Sequence, residues 1–446
     1  MSLPALSWLH GAEILLVAAA LVLLALVRNF ERSRFAVAAV VAVAALAALG
    51  CGLMDDGSAR LALIVAPLTL LTAAILLPTA ELFDARQTPE AGALLLGGTV
   101  GGVVLTAAAS LLEMALGVEM ISLAGAALVG LGRGARPLEG AFKYFVLTAI
   151  TFATLLFGMA LVFLGTGSLD IPSLAAVTDG ARPLVVAGVA LMSIGLLFKL
   201  AAAPVHFGSL DAYTTGPSAF VGFIMVVSKL GAAVALSRLV IGTSASVGTA
   251  LLVCGLVTIG IGVLASFAQT DLRRLLAYSA VAHAGFLALA AGSASAGGDS
   301  AARFYVIGYA AAALLCFASL AGTGTEPFSI NALRPGGTQP LGRLRGAGLL
   351  LGLFSLAGVP PLPGFWIKLA VLQSTWQQWG LLPTTLAAVG GVVGVIYYLR
   401  PTPDLLAQAR AQAPERPALE DALIVGLMVL VVALGVWPAL GWSLAK

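Results

Sequence analysis

Long apolar runs alternate with short polar breaks along nearly the whole chain. They fall at about 6–27, 35–53, 61–80, 91–109, 111–132, 138–164, 183–205, 218–240, 247–268, 275–296, 301–322, 346–376, 380–399 and 420–444. Each approaches or exceeds the ~20 residues that a helix needs to cross a hydrocarbon core of ~30 Å. The pattern predicts an all-α polytopic membrane protein with about 14 transmembrane helices and no room for a soluble domain. The stretch from Met1 to Val27 has no Lys or Arg ahead of its apolar run, so it reads as a retained first helix rather than a cleaved signal.

Composition agrees. Of the 446 residues, 60% are hydrophobic and 10% are charged, and the mean hydropathy is +1.05. Soluble proteins carry about 25% charged residues. This balance excludes a soluble enzyme, a disordered regulator and a nucleic-acid binder. Cys51, Cys254 and Cys316 fall inside apolar runs, are odd in number and form no CxxC pair, so they read as small core residues and offer no iron–sulfur or zinc site. No Walker loop is present, and no GxGxxG links a strand to a helix.

The placement of charge sets the expected topology. If the first residue is outside and the chain alternates, the cytoplasmic loops hold 14 arginines, among them Arg28, Arg32, Arg34, Arg133, Arg273, Arg345 and Arg400. The outer side holds five basic residues, Arg60, Arg182, Arg238, Arg303 and Lys446. Basic residues favour the cytoplasmic side, so both termini are expected outside.

Two runs look broken. The seventh reads LLFKLAAAPVHF and the twelfth SLAGVPPLPGFWIK. Proline removes a backbone donor and clashes one turn back, and in lipid the freed carbonyls need protein or water. Broken helices at matching places in two halves point to a transporter's ion path. The breaks are five helices apart, which predicts two inverted five-helix repeats, helices 4–8 and 9–13. The expected division is 1–90, three N-terminal helices; 91–240 and 247–400, the repeats; and 401–446, a C-terminal helix.

Lysine use is the main chemical signal. Four of the five lysines, Lys143, Lys199, Lys229 and Lys368, lie inside predicted spans, and no lysine sits in a loop between spans. A charge at mid-membrane costs about 2.5–3.5 kcal/mol. Arginine keeps its proton in a protein, whereas a desolvated lysine can release one. Glu119 lies about eight residues, or ~12 Å, into the fifth run, and is the one clearly deep acid. Lys199 and Lys368 flank the breaks, Lys229 is near the midplane, and Lys143 is close enough to the surface to snorkel. His206 and His283 titrate near neutrality and join the candidate proton carriers, while His10 does not. The aromatics and the glycines of GGTVGG and GGVVGV read as packing surfaces.

Three stretches resemble the N subunits of bacterial NADH-quinone oxidoreductase, respiratory complex I, within the antiporter-like subunit family. They are KYFVLTAITFATLLFGMALVFLGTGSLD (143–170), QTDLRRLLAYSAVAHAGF (269–286) and SLAGVPPLPGFWIK (355–368). Lys368 stands where M-type and antiporter D-type subunits usually carry Glu, and no long lateral helix follows the fourteenth run. The stretch PVHFGSLDAYTTGPSAF departs from the family's usual PxHxWxPDxYxGAPTP at Gly208 and Leu210. The resemblance implies a proton-translocating subunit of a bacterial inner-membrane enzyme, a translocase with no redox centre of its own. Glu119 is implied to pair with Lys199, and the proton to pass through Lys229 and His283 to Lys368. NADH or another donor, FMN, Fe–S clusters and quinone are implied in other subunits. The implied partners are another antiporter-like subunit, the small K/J-type subunits and lipid, with no nucleic acid. The alternatives are a subunit of a multi-subunit Na+/H+ antiporter, expected to carry more buried carboxylates, and a membrane-bound hydrogenase-type complex.

Overall fold

A computed structural model describes residues 8–25, 34–55, 59–82, 84–243, 245–333, 341–407 and 417–445. Its main helices are α1 (Trp8–Ala25), α2 (Arg34–Met54), α3 (Arg60–Leu76), α4 (Thr88–Ala107), α5 (Leu111–Gly130), α6 (Ala135–Thr166), α7 (Arg182–Leu200), α8 (Phe207–Thr215), α9 (Ser218–Ile241), α10 (Ala245–Phe267), α11 (Leu272–Gly292), α12 (Gly298–Leu320), α13 (Arg343–Ala357), α14 (Pro363–Trp379), α15 (Leu381–Leu399), α16 (Thr402–Ala407), α17 (Ala418–Val436) and α18 (Pro438–Ala445). Among the described residues, twelve helical stretches are long and apolar enough to cross a membrane. With α1 and the split pair α13–α14, they correspond to the fourteen apolar runs. The chain is an all-α polytopic membrane protein.

Both suspected breaks are real, and they are built alike. Helix α7 stops at Leu200, Ala201 turns left-handed at φ 64°, and the Ala202 N–H closes back on Leu197 O at 2.8 Å. Helix α13 stops at Ala357, Gly358 turns at φ 89°, and the Val359 N–H closes on Phe354 O at 3.1 Å. These are the same helix-ending motif, in which a left-handed residue lets the next amide satisfy an orphan carbonyl. The cis bonds Ala203–Pro204 and Pro360–Pro361 then follow at equal spacing. The seventh run therefore does not end just after Pro204, because α8 carries the crossing on to Thr215.

A second pair of matched features fixes the inversion. Ser110 caps α5 and bridges Asp170, while Asp271 caps α11 and bridges Ser329. Each clasp is flanked by two backbone hydrogen bonds, Leu111 N to Leu169 O and Ile171 N to Ala109 O, then Leu272 N to Phe328 O and Ile330 N to Thr270 O. Five crossings separate the two clasps, so they lie on opposite faces of the bundle.

Neighbouring helices approach through paired glycines. A Cβ on Gly117 would meet Gly101 O at 2.8 Å, one on Gly188 would meet Gly158 O at 2.6 Å, and one on Gly285 would meet Gly255 O at 2.7 Å. These contacts join α4 to α5, α6 to α7 and α10 to α11, the close backbone packing that small residues allow in membranes. Helices α9, α11 and α12 form the interior and are buried along nearly their whole length. Helix α6 is the longest, at 32 residues, and much of its surface is exposed.

One face is knitted together by loops. Arg133 N donates to Glu81 O at 2.9 Å, the Glu81 carboxylate accepts from Gly324 N at 3.0 Å, and Thr325 donates to Arg133 O at 2.9 Å. Two arginines assigned to loops by the sequence are instead buried struts. Arg273 reaches Gly216 O at 3.2 Å and Thr323 Oγ1 at 3.1 Å, and also meets Gly324 O. Arg345 pairs with buried Glu420 at 2.5 Å and donates to Ala321 O at 2.6 Å. Glu420 is thus a deeply buried acid that the sequence did not single out. Arg28, Arg32, Arg334, Arg410, Arg416 and Lys446 lie outside the described residues.

Candidate functional site

Five of the seven singled-out side chains fall on helices at mid-crossing. Glu119 is the ninth residue of α5, Lys199 sits in the last turn of α7 beside the break, and Lys229 is midway along α9. His283 is midway along α11, and Lys368 lies in the second turn of α14, just past the other break.

Glu119 is half-buried, and its Oε2 has no hydrogen-bond partner among the described protein atoms. The charge of Lys199, the partner that the resemblance implied, reaches it, and the two form no contact ion pair among the described residues. Lys199 instead donates to the Tyr144 hydroxyl at 3.3 Å, with its Nζ 5.1 Å from the Tyr144 ring and 5.4 Å from the Phe198 ring. A buried ammonium gains attraction from aromatic faces when water is gone.

Lys229 is fully buried, and its Nζ lacks a hydrogen-bond partner among the described atoms. It lies 5.5 Å from the Tyr213 ring and 5.6 Å from the Tyr309 ring. Tyr309 also packs against His283, with ring centroids 5.0 Å apart, and so joins the two carriers. Each nitrogen of His283 meets a phenol, Nδ1 with Tyr305 at 2.6 Å and Nε2 with Tyr398 at 3.1 Å. The charges of Lys229 and Lys368 both act on His283. Lys368 Nζ donates to Leu356 O at 2.9 Å and Ala357 O at 2.8 Å, the last carbonyls of α13. Those carbonyls are the negative end of that half-helix, so the break itself builds the ammonium's seat. A cavity of about 240 Å³ lined by Phe286, Gly358, Phe365, Lys368 and Gly391 opens beside it.

The structure does not bring the other two candidates into this row. Lys143 is half-exposed and pairs with Glu139 at 2.7 Å and Asp211 at 3.3 Å. His206 follows the first break and stacks on Phe207 at 4.0 Å, and no hydrogen bond joins it to the lysines among the described residues. Its Nδ1 and the Ser355 hydroxyl are buried without a described partner, while Thr148 and Ser228 come within reach of the Tyr144 hydroxyl. Among the described residues, no cluster of three His, Cys, Asp or Glu side chains could hold a metal.

Sequence reasoning missed the tyrosines. Six of the seven, Tyr144, Tyr213, Tyr305, Tyr309, Tyr397 and Tyr398, are buried. Tyr305 and Tyr309, four residues apart on α12, and the adjacent Tyr397 and Tyr398 were the available signals.

Residues 108–394 match the family described as NADH:quinone oxidoreductase/Mrp antiporter, TM. The chain belongs to this family. The matched segment spans the row from Glu119 to Lys368. Family relatives include subunit N of NADH-quinone oxidoreductase from Cereibacter sphaeroides, 36% identical over 79% of this chain and 77% of that one. The Thioalkalivibrio sulfidiphilus subunit N is 32% identical over 84% and 81%. A chain of respiratory complex I from Thermus thermophilus superposes with a TM-score of 0.82 at 30% identity, covering 97% and 98%. The fold recurs in a membrane-bound sulfane sulfur reductase, an archaeal respiratory complex, at a TM-score of 0.82 and 21% identity over 97% and 96%. At the family's divergent stretch, Gly208 lets α8 lie against α6, since a Cβ there would come within 2.6 Å of Leu147 Cδ1.

Proposed function

We propose that this chain is the proton-translocating, antiporter-like N-type membrane subunit of an NADH-quinone oxidoreductase-type complex. The observation that carries the reading is the row of buried titratable groups from Glu119 through Lys199, Lys229 and His283 to Lys368. Tyrosines line it, with Tyr309 bridging Lys229 and His283, and it runs across the interior between two helix breaks. A shift of the Glu119 charge toward or away from Lys199 changes how firmly that lysine holds its proton. The proton then passes along the row, and the charge arriving at one site destabilises charge at the next. Quinone reduction in other subunits drives the cycle, with NADH or another donor, FMN, Fe–S clusters and quinone held there. The chain works beside another antiporter-like subunit and the small K/J-type subunits in a bacterial inner membrane. It divides at 91–240 and 247–400 into two repeats, flanked by segments 1–90 and 401–446.

The testing experiment is proton uptake coupled to quinone reduction in membrane vesicles, normalised to assembled complex. Lys199→Ala and Glu119→Ala strongly reduce uptake, and Lys199→Arg also fails because arginine does not pass its proton on. Lys143→Ala is the mildest lysine change. Wild-type uptake by Lys199→Arg removes lysine deprotonation from the cycle. The Na+/H+ alternative fails if uptake is independent of sodium.

A further inference from the structure

The row explains transfer across the interior but not how a proton reaches it from the membrane face at the α10–α11 turn. His283 Nε2 meets the Tyr398 hydroxyl at 3.1 Å, and that hydroxyl in turn shares a short hydrogen bond with Ser279 Oγ. Tyr397, the adjacent residue, packs on Tyr398 with ring centroids 4.3 Å apart, and its hydroxyl comes within interaction range of Tyr398, Ser279 and Ser266. All five side chains are at most 2% exposed.

Their heights give the column a direction. Along α11, Ser279 lies seven residues, or ~10 Å, from Leu272, and His283 lies one turn deeper. Tyr397 and Tyr398 are near the end of α15, and Ser266 is the penultimate residue of α10. Half-exposed Gln269 follows within one turn. Arg400 anchors the same corner by donating to Phe267 O at 2.7 Å. This is the face that carries Arg133, Arg273 and Arg345, the side that basic residues assign to the cytoplasm.

We infer that Ser266, Tyr397, Ser279 and Tyr398 form a hydroxyl wire that loads His283 with protons from the cytoplasmic face of the second repeat. The inference rests on the proton-translocating reading above. A neutral imidazole has one N–H and one bare nitrogen. With a phenol at each nitrogen, His283 takes a proton from Tyr398 at Nε2 and releases its other proton at Nδ1 toward Tyr305 and the lysine row. As Tyr398 gives up its proton, it receives one from the serine or tyrosine behind it, so one proton enters at Ser266 for each one that leaves His283. No heavy-atom bond changes and no electron moves. The hydroxyls and the imidazole then rotate back for the next transfer.

The experiment measures proton uptake coupled to quinone reduction in vesicles holding the assembled complex, for Tyr398→Phe, Ser279→Ala, Ser279→Thr and Lys199→Ala. Tyr398→Phe keeps the ring and removes the hydroxyl, and it lowers uptake at least threefold with a changed solvent deuterium isotope effect. Ser279→Ala does the same, and Ser279→Thr, which retains a hydroxyl, restores most of the rate. A merely structural role would leave the isotope effect unchanged. If Lys199→Ala stops uptake while Tyr398→Phe and Ser279→Ala match wild type, the wire is wrong and the translocating reading stands. If none of the variants changes uptake, both are wrong.

Discussion

Arg345 and Glu420 are only 4% and 1% exposed, and each leaves the other uncompensated if removed. Glu420 Oε1 also accepts from Thr79 at 2.5 Å, so the pair ties α13, α17 and the end of α3 at one point. Arg345→Met is therefore expected to lower stability by about 3–5 kcal/mol, the usual cost of a stranded buried charge. The double change Arg345→Met with Glu420→Leu should recover much of it, which thermal unfolding of the purified protein in detergent can check. The sequence showed the four buried or half-buried lysines plainly, because lysine was absent from the loops between spans. It did not show Arg273 and Arg345 going inside. Their partners, Gly216 O, Gly324 O and Glu420, lie 57, 51 and 75 residues away, and no local pattern encodes such pairs.

At the scale of elements, the two helix breaks were legible because Pro and Gly interrupt apolar runs in only a few ways. Their matching left-handed residues were half-legible, since Gly358 announces itself and Ala201 does not. The position of His283 depends on how closely α11 approaches α10. Gly285 sits two residues beyond it, where a Cβ would strike the Gly255 carbonyl. Gly285→Ala should force the two helices apart, lowering the thermal midpoint and reducing proton uptake together. Gly260→Ala, where a Cβ meets nothing within 4 Å, should change neither. A Gly285→Ala protein with an unaltered midpoint would show that the glycine contact is dispensable.

For the whole molecule, the fourteen crossings came from hydropathy alone, and the alternation is supported by a single knitted face. The hydrogen bonds Arg34 to Pro78 O, Thr79 to Glu420, Arg133 to Glu81 and Arg400 to Phe267 all lie on it. If this face is cytoplasmic, a C-terminal reporter that works only outside the cytoplasm should be active, and one confined to the cytoplasm should be silent. What the sequence could not supply was the internal wiring, because tyrosines from α6, α9's neighbour α8, α12 and α15 converge only once the bundle has closed.

Helix α6 spans 32 residues, or ~48 Å at 1.5 Å per residue, against a hydrocarbon slab of ~30 Å. With Thr166 taken as one boundary, the slab is used up by about residue 146, which leaves the first turns for the headgroup layer. Glu139, Lys143 and Asp211 can be charged and half-exposed there without entering oil. Hydrophobic mismatch then acts on this corner of the molecule. In bilayers of shorter acyl chains, Lys143 should become more reactive to a membrane-impermeant amine reagent, and in thicker bilayers less so. The thickness of the host membrane thereby sets how much of the α6–α8 charge cluster is solvated, while Lys199 and Lys229, sealed in the interior, do not sense it.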